Sequence, residues 1–312
     1  MIAQTRADAP RTTGHPDPTA PYVLVMRGFA RFAARARRRP ACGRFTNGEC
    51  HVALPDEVAG QRCVVVGSVS PPADNLVWLT QTAHALRRAG ADTITAVLPY
   101  LAYARQDRAD LGESLGLEWL GQLLRASGVT EIVCVDVHSP DAPTLLGLPL
   151  VSLSPATVLA AALPDDWRTD VCFVAPDQGA LCRCTALAAA AGAQTEVVWA
   201  RKRRTPAGVS IRALVGSPTP RAVIVDDILD TGGTLLACCT ALREQAVREI
   251  GVVVTHGLFT GNPWPALKRA GVGRIWMTDS ILPRSRPAVA DVVPLAGILA
   301  PLLTGEPTES EG

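Results

Sequence analysis

Residues 223–235 read VIVDDILDTGGTL, which sets three carboxylates, Asp226, Asp227 and Asp230, beside a Thr-Gly-Gly-Thr turn. Val223, Ile224 and Val225 have the composition of a parallel strand buried on both faces, and ionised aspartates cannot follow them into a core without partners. The carboxylates are therefore expected at the strand's carboxyl end, the edge of an open α/β sheet where ligands bind. The next residues, LLACCTALREQ, read as a helix, and the first amides of a helix lack acceptors and favour an anion. A phosphate suits the turn formed by Asp230, Thr231, Gly232, Gly233 and Thr234. The aspartates need donors or a cation. Ribose hydroxyls supply charge-assisted hydrogen bonds of about 1.5–3 kcal/mol each, and a divalent metal also suits carboxylates. A sugar phosphate satisfies both halves. A Gly-Lys-Ser/Thr nucleotide loop fits less well, because no lysine lies in this turn.

Such a turn has to be positioned by a sheet. Apolar runs such as CVVVGSV, TITAVLPY, EIVCVDV, VCFVAP, TEVVWA, AVIVDD, IGVVVTH and RIWMTDS alternate with helical patterns such as LVWLTQTAHALRRAG and LEWLGQLLRASG, which predicts parallel α/β sheets. The pattern occurs twice: VVVGSVSPPADNLVWLTQTAHALRRAGADTITAVLPY repeats the strand, turn, helix and strand of AVIVDDILDTGGTLLACCTALREQAVREIGVVVTHGLF. In the first copy the turn GSVSPPADN has two prolines and no adjacent aspartate pair, so a sugar-phosphate site is expected only in the second. The DDILDTGGT stretch resembles the ribose-5-phosphate loop of type I phosphoribosyltransferase folds. The expected fold is thus α/β with two tandem phosphoribosyltransferase-like domains, each a mainly parallel sheet flanked by helices. Residues 21–154 are expected to form a nucleotide-binding domain and 155–300 a ribose-5-phosphate-binding domain, with tails over 1–20 and 301–312.

Composition narrows the partners. A net charge of +1 over 312 residues gives no general attraction to nucleic acid, and no apolar run reaches the roughly 18 residues of a membrane span. Nine cysteines without a C-x-x-C pair argue against a disulfide framework or structural zinc and for a reducing cytoplasm. The arginine-rich RGFARFAARARRRPA follows Asp8 and Asp17 and does not read as a transit peptide.

Four further stretches are similar to those of the ribose-phosphate diphosphokinases. RFTNGE, residues 44–49, resembles that family's Phe-Ser-Asp-Gly-Glu loop, with Asn47 where Asp is usual. YLAYARQDR, residues 100–108, resembles its Tyr-Gly-Tyr-Ala-Arg-Gln-Asp pattern. VDVHS, with Asp136 and His138, and VAPDQGA, with Asp177, resemble its magnesium-organising positions. WARKRRTPAG, residues 199–208, resembles its catalytic loop. An exposed aromatic can stack on a purine and an arginine fork can hold phosphate. Of thirty basic residues only Lys202 and Lys268 are lysine, and an ammonium is a movable point charge, unlike a guanidinium fork.

By this resemblance Phe45, Asn47, Glu49, Arg105 and Gln106 bind ATP, His138 and Asp177 organise Mg2+, and Lys202 and Arg204 are catalytic. The implied reaction transfers the diphosphoryl group of ATP to the C1 hydroxyl of ribose 5-phosphate, in a homo-oligomer whose neighbouring subunit completes the adenine contacts. Two alternatives stay open: a phosphoribosyltransferase that consumes phosphoribosyl diphosphate, and a non-catalytic regulatory relative. In the allosteric members an effector site lies between subunits near a C-terminal Gly-Glu-Ser motif. Here Gly-Glu is followed by proline, and residues 107–115 keep Arg108 as their one basic residue. Strong ADP inhibition and dependence on phosphate are accordingly not expected.

Overall fold

A computed structural model describes residues 20–33, 38–205, 208–283 and 286–304, apart from the side chains of 203–205, 208 and 209. Residues 1–19 and 305–312 lie outside these, and with them most of both expected tails. The first half runs β1 (Tyr22–Val25), β2 (Ala41–Arg44), β3 (Cys50–Ala53), β4 (Arg62–Val66), α1 (Asp74–Arg88), β5 (Thr93–Leu98), α2 (Gly116–Ser127), β6 (Glu131–Val135), α3 (Ala142–Leu146) and β7 (Leu150–Leu153). The second runs α4 (Ala156–Ala162), β8 (Cys172–Ala175), α5 (Leu181–Ala191), β9 (Val198–Thr205), β10 (Gly208–Val215), β11 (Arg221–Leu229), α6 (Gly233–Glu244), β12 (Glu249–Gly257), α7 (Trp264–Arg269), β13 (Val272–Thr278), β14 (Ala290–Val293) and α8 (Ala296–Thr304).

The first sheet has the order β1-β4-β5-β6-β7, and all its neighbours are parallel. The second has the order β10-β9-β8-β11-β12-β13-β14, parallel except where β9 meets β10. The apolar runs have to supply both faces of each sheet, because side chains alternate along a strand. In the first sheet Leu24, Val65, Ala96, Leu98 and Ile132 face α1 and α2, which offer Leu76, Leu79, Leu86, Leu117, Leu120 and Leu124 at helical spacing. Gly128, with φ +106°, ends α2 in the left-handed conformation that suits glycine. In the second sheet Val174, Ile224, Val252 and Ile275 face α6 and α7, while Phe173, Val223, Val225 and Trp276 face α4 and α5.

The opposite face of the first sheet is covered from the far end of the chain. Val23, Val25, Val64, Val66, Val97, Val133 and Val135 pack with Leu295 and Leu299, and α8 adds Ile298, Leu302 and Leu303. Each leucine so buried contributes roughly 1.5–3 kcal/mol. The division expected at residue 300 falls inside this helix, which runs to Thr304. Its apolar residues look alike whichever sheet they cover.

The layer of α2 on α3 is close enough to test. A Cβ on Gly121 would stand 2.1 Å from the main-chain oxygen of Leu146, and a backbone atom cannot rotate away. Gly121→Ala is expected to lower stability by about 1–3 kcal/mol, read as a lower urea midpoint with an unchanged slope. A wild-type midpoint would show that α3 shifts freely.

Candidate active site

The acidic strand goes further than its apolar core suggested. β11 continues through Asp226 and Asp227 to Leu229, because β12 pairs with it as far as Leu229 opposite Gly257. On its other side, pairing with β8 stops at Ile224 opposite Val174. The two aspartates are thus part of the strand and not beyond it, and they face the crevice opened where β8 ends. That crevice is also where strand order reverses, with β9 and β10 on one side of β8 and β11 to β14 on the other, the usual place for a ligand in such sheets.

Asp227 is 5% exposed and has partners from the other half of the chain. Nδ1 of His138 lies 2.5 Å from its Oδ2, and its own amide donates to Oδ1 of Asp226 at 2.9 Å. Burial would raise its pKa, but the His138 hydrogen bond and the Arg183 guanidinium hold it below the usual carboxylate range. Burial pushes Asp226 well above that range, and the negative charge of Asp227 pushes it further. Two carboxylates this close share their charge unequally, and Asp227 carries it.

The turn that follows has the geometry of an anion site. Gly232 adopts φ +80°, and a Cβ there would meet Pro263 Cβ at 2.9 Å. The first helical amide with a main-chain acceptor is Leu236, on Gly232 O at 2.9 Å; among the described residues those of Gly233, Thr234 and Leu235 have none. Asp230 accepts a 2.6 Å hydrogen bond from Arg105 Nη1. Burial opposes its ionisation, yet hydrogen bonds from Thr260 and Arg105 hold its pKa below the usual value.

Lys202 lies on β9, so WARKRRT is strand and the expected loop is an antiparallel hairpin with β10. Its ammonium pairs with Asp177 Oδ2, while Asp177 Oδ1 accepts the Ala180 amide at 3.0 Å. The side chain of Arg204 lies outside the described residues. A cavity of about 920 Å³ brings together Arg105, His138, Asp177, Lys202, Asp226, Asp227 and Thr234. Asp230, Thr231, Gly232 and Gly233 form the turn between two of its lining residues, Ile228 and Thr234.

Three of the nucleotide-side residues stand elsewhere. Phe45, Asn47 and Glu49 sit at the tip of the β2–β3 hairpin, absent from the expected strands, and do not line this cavity. Phe45 is 55% exposed, with the His51 ring 4.8 Å from its own. Asn47 Oδ1 accepts the Glu49 amide at 3.2 Å, so the residue that departs from the family pattern builds the turn itself. Gln106 is exposed and also outside the cavity wall.

Arg183, in the run LCRCTALAAA of α5, belongs to none of the motifs legible in the sequence. It pairs with Asp136 Oδ1, and Thr255 donates its hydroxyl to Oδ2, so Asp136 is engaged by protein groups on both oxygens. One arginine among alanines and cysteines was the available signal. In the first half, the turn equivalent to the phosphate turn is tied to itself, with the Ser70 amide on Ser68 Oγ at 3.0 Å and Asn75 Nδ2 on Ser70 O at 3.0 Å.

Among the described residues no three His, Cys, Asp or Glu side chains converge on one point. Asp177, Asp226 and Asp227 nevertheless line one cavity, and the mutual repulsion that raises Asp226 is what a cation would relieve. That donor set fits a magnesium ion, which keeps waters and takes one or two carboxylates plus substrate phosphates.

Comparison with known proteins agrees with this geometry. Residues 33–128 match the family model of the N-terminal domain of ribose phosphate pyrophosphokinase, and residues 155–271 match the phosphoribosyl transferase domain. A ribose-phosphate pyrophosphokinase of Vibrio vulnificus is 33% identical over 265 residues, covering 82% of this chain and 84% of the relative. One of Chromobacterium violaceum is 30% identical over 274 residues, covering 85% and 83%. The crystal structure of phosphoribosylpyrophosphate synthetase from Mycobacterium smegmatis superposes with a TM-score of 0.77 at 25% identity, over 90% of this chain and 97% of that one. With both halves matched and relatives aligned over most of their length, this chain belongs to the ribose-phosphate pyrophosphokinase family.

Proposed function

We propose that this chain transfers the β,γ-diphosphoryl group of ATP to the C1 hydroxyl of ribose 5-phosphate, giving 5-phosphoribosyl 1-diphosphate and AMP. The observation that carries the reading is that one cavity is lined by the Asp226 and Asp227 carboxylates, by Thr234 at the start of α6 and by the cations Lys202 and Arg105. The amides of Gly233, Thr234 and Leu235 would hold the 5-phosphate, and Asp226 and Asp227 would accept from the ribose hydroxyls. The C1 oxygen bonds to the β phosphorus as the bond from that phosphorus to the oxygen bridging it to AMP breaks; AMP leaves with the bridging oxygen, and the hydroxyl proton passes to solvent. Lys202 would follow the charge that moves between those oxygens. Alignment and charge stabilisation are the main contributions a protein makes to such a transfer.

Mg2+ would take one or two of the carboxylates of Asp177, Asp226 and Asp227 together with substrate phosphates, with His138 beside them, and would neutralise phosphate charge. The exposed Phe45 hairpin, standing apart from the cavity, supports a homo-oligomer in which a second copy completes the adenine site. The nine free thiols support a reducing cytoplasm, and no described helix is long and apolar enough to cross a membrane.

The test is direct: purified protein with ATP, ribose 5-phosphate and Mg2+, with nucleotides and sugar phosphates separated by anion exchange. AMP and phosphoribosyl diphosphate should form in equal amounts. Neither product would favour a regulatory relative, and consumption of added phosphoribosyl diphosphate with a free base would favour a phosphoribosyltransferase. Regulation gives a further expectation. Arg108 lines the same cavity as Lys202, which leaves residues 107–115 no other cation for a separate effector phosphate, and anion sites need several convergent donors. Initial rates should need no inorganic phosphate, and saturating ATP should overcome inhibition by ADP. Inhibition that persists at saturating ATP would reveal an effector site.

A further inference from the structure

Asp136 follows β6 with φ +48°, a left-handed backbone that a non-glycine residue keeps only when its surroundings hold it there. The holding groups come mostly from the second sheet and its helices. Arg183 of α5 donates from Nη1 to Asp136 Oδ1, and Thr255 of β12 donates to Oδ2. Nε2 of His256, also on β12, lies 3.3 Å from the Asp136 carbonyl oxygen. From its own sheet Asp136 has one main-chain bond, its amide to Leu153 O at 3.0 Å. Two residues later His138 reaches Asp227 at 2.5 Å. The short turn after Val135 therefore joins a clamped residue to one that touches the ribose-side carboxylate.

Arg183 also lines two spaces, as His138, Gly179 and Asp226 do. It lines the cavity of about 920 Å³ and a second, largely apolar cavity of about 470 Å³. Its side chain is 17% exposed, and among the described residues its Nε is buried without a partner. A buried ion pair is a weak source of stability, since desolvation offsets the Coulomb attraction, and an orphaned N–H adds to the penalty. Stability is a poor reason for such an arrangement beside a reacting site.

We propose that Arg183 is a positioning residue for the diphosphoryl transfer: through Asp136 it fixes the turn that follows β6, and with it the His138 imidazole on Asp227. This rests on the function proposed above. Arg183 touches no reacting atom in this scheme. It acts by holding a first-domain turn against second-domain carboxylates.

The experiment measures steady-state rates with ATP and ribose 5-phosphate, and unfolding midpoints, for the purified full chain and five variants: Arg183→Gln, Arg183→Lys, Thr255→Val, Asp136→Asn and the double variant Asp136→Asn/Arg183→Gln. Arg183→Gln is expected to lower kcat about 10-fold to 100-fold, the loss that a misplacement of about 1 Å brings. It should raise KM for ribose 5-phosphate and leave KM for ATP unchanged. Arg183→Lys, which keeps the charge on Asp136, should recover most of kcat. Thr255→Val removes only the second bond to Asp136 and should lower kcat by a smaller factor. Asp136→Asn combined with Arg183→Gln should be no worse than the poorer single variant, because both act through one contact. Wild-type kinetics in Arg183→Gln, losses that multiply in the double variant, or a defect confined to KM for ATP would each overturn the proposal. Should Arg183→Gln fail to fold, wild-type kinetics in Thr255→Val would overturn it. The wild-type chain run alongside separates the two readings: if it makes no AMP the proposed function fails, whereas an active wild type with indifferent variants removes only the positioning role.

Discussion

Lys202→Ala is expected to lower turnover about 100-fold to 1000-fold, the loss of about 2.7–4 kcal/mol that follows removal of one preorganised donor from a developing charge. Of the chain's two lysines, Lys202 is the one that lines the cavity, which Asp226 and Asp227 also line, and its ammonium is held by Asp177. KM for ribose 5-phosphate should not change, because the groups assigned to the ribose are on β11 and α6. A fall in kcat without a rise in KM is the signature of an interaction made only in the transition state. Lys202→Arg should recover little, since a planar fork cannot follow the phosphorus as an ammonium can. Single-turnover rates with saturating ATP are the measurement, and wild-type turnover in Lys202→Ala would remove it from the chemistry.

Asp226→Asn is expected to move activity and stability in opposite directions. A cation bound beside the pair would offset the repulsion from Asp227 and let Asp226 ionise, and loss of its charge-assisted bond of about 1.5–3 kcal/mol to a ribose hydroxyl then corresponds to about 10-fold to 150-fold in kcat/KM for ribose 5-phosphate. Stability should rise, because Asp226 is a carboxyl that burial and Asp227 push above its unfolded pKa. A group whose pKa is raised on folding stabilises fully below its unfolded value, near 3.9 for aspartate. That contribution is lost as pH rises through the folded value. Wild type and Asp226→Asn should therefore unfold at similar midpoints in acid and diverge towards neutral pH, with the variant the more stable. A variant that unfolds more readily at pH 8 would identify Asp226 as part of the fold and not of the site.

What could be read before folding was whatever lies contiguous in the chain. The strand-turn-helix of residues 223–245 needs only its own residues: three apolar positions to enter a sheet, glycine at 232 for a positive φ, and a helix whose first amides have no acceptor. Lys202 was visible because lysine is rare here. The two-halved plan followed from apolar periodicity, which depends on neighbours a few residues apart. Partnerships between distant segments carry no such local mark. His138 and Asp227 are 89 residues apart, Thr255 and Asp136 are 119, and Arg105 and Asp230 are 125. Each charge advertises that it needs a partner without saying which one. For that reason Asp136 reads in the sequence as a possible metal ligand with no sign that Arg183 and Thr255 hold both its oxygens, and α8 gives no sign that it covers the first sheet. The path of β11 through its aspartates was decided the same way: β12 stays alongside to Leu229 while β8 stops, and only that unequal pairing keeps the carboxylates in the strand and leaves one side of them open.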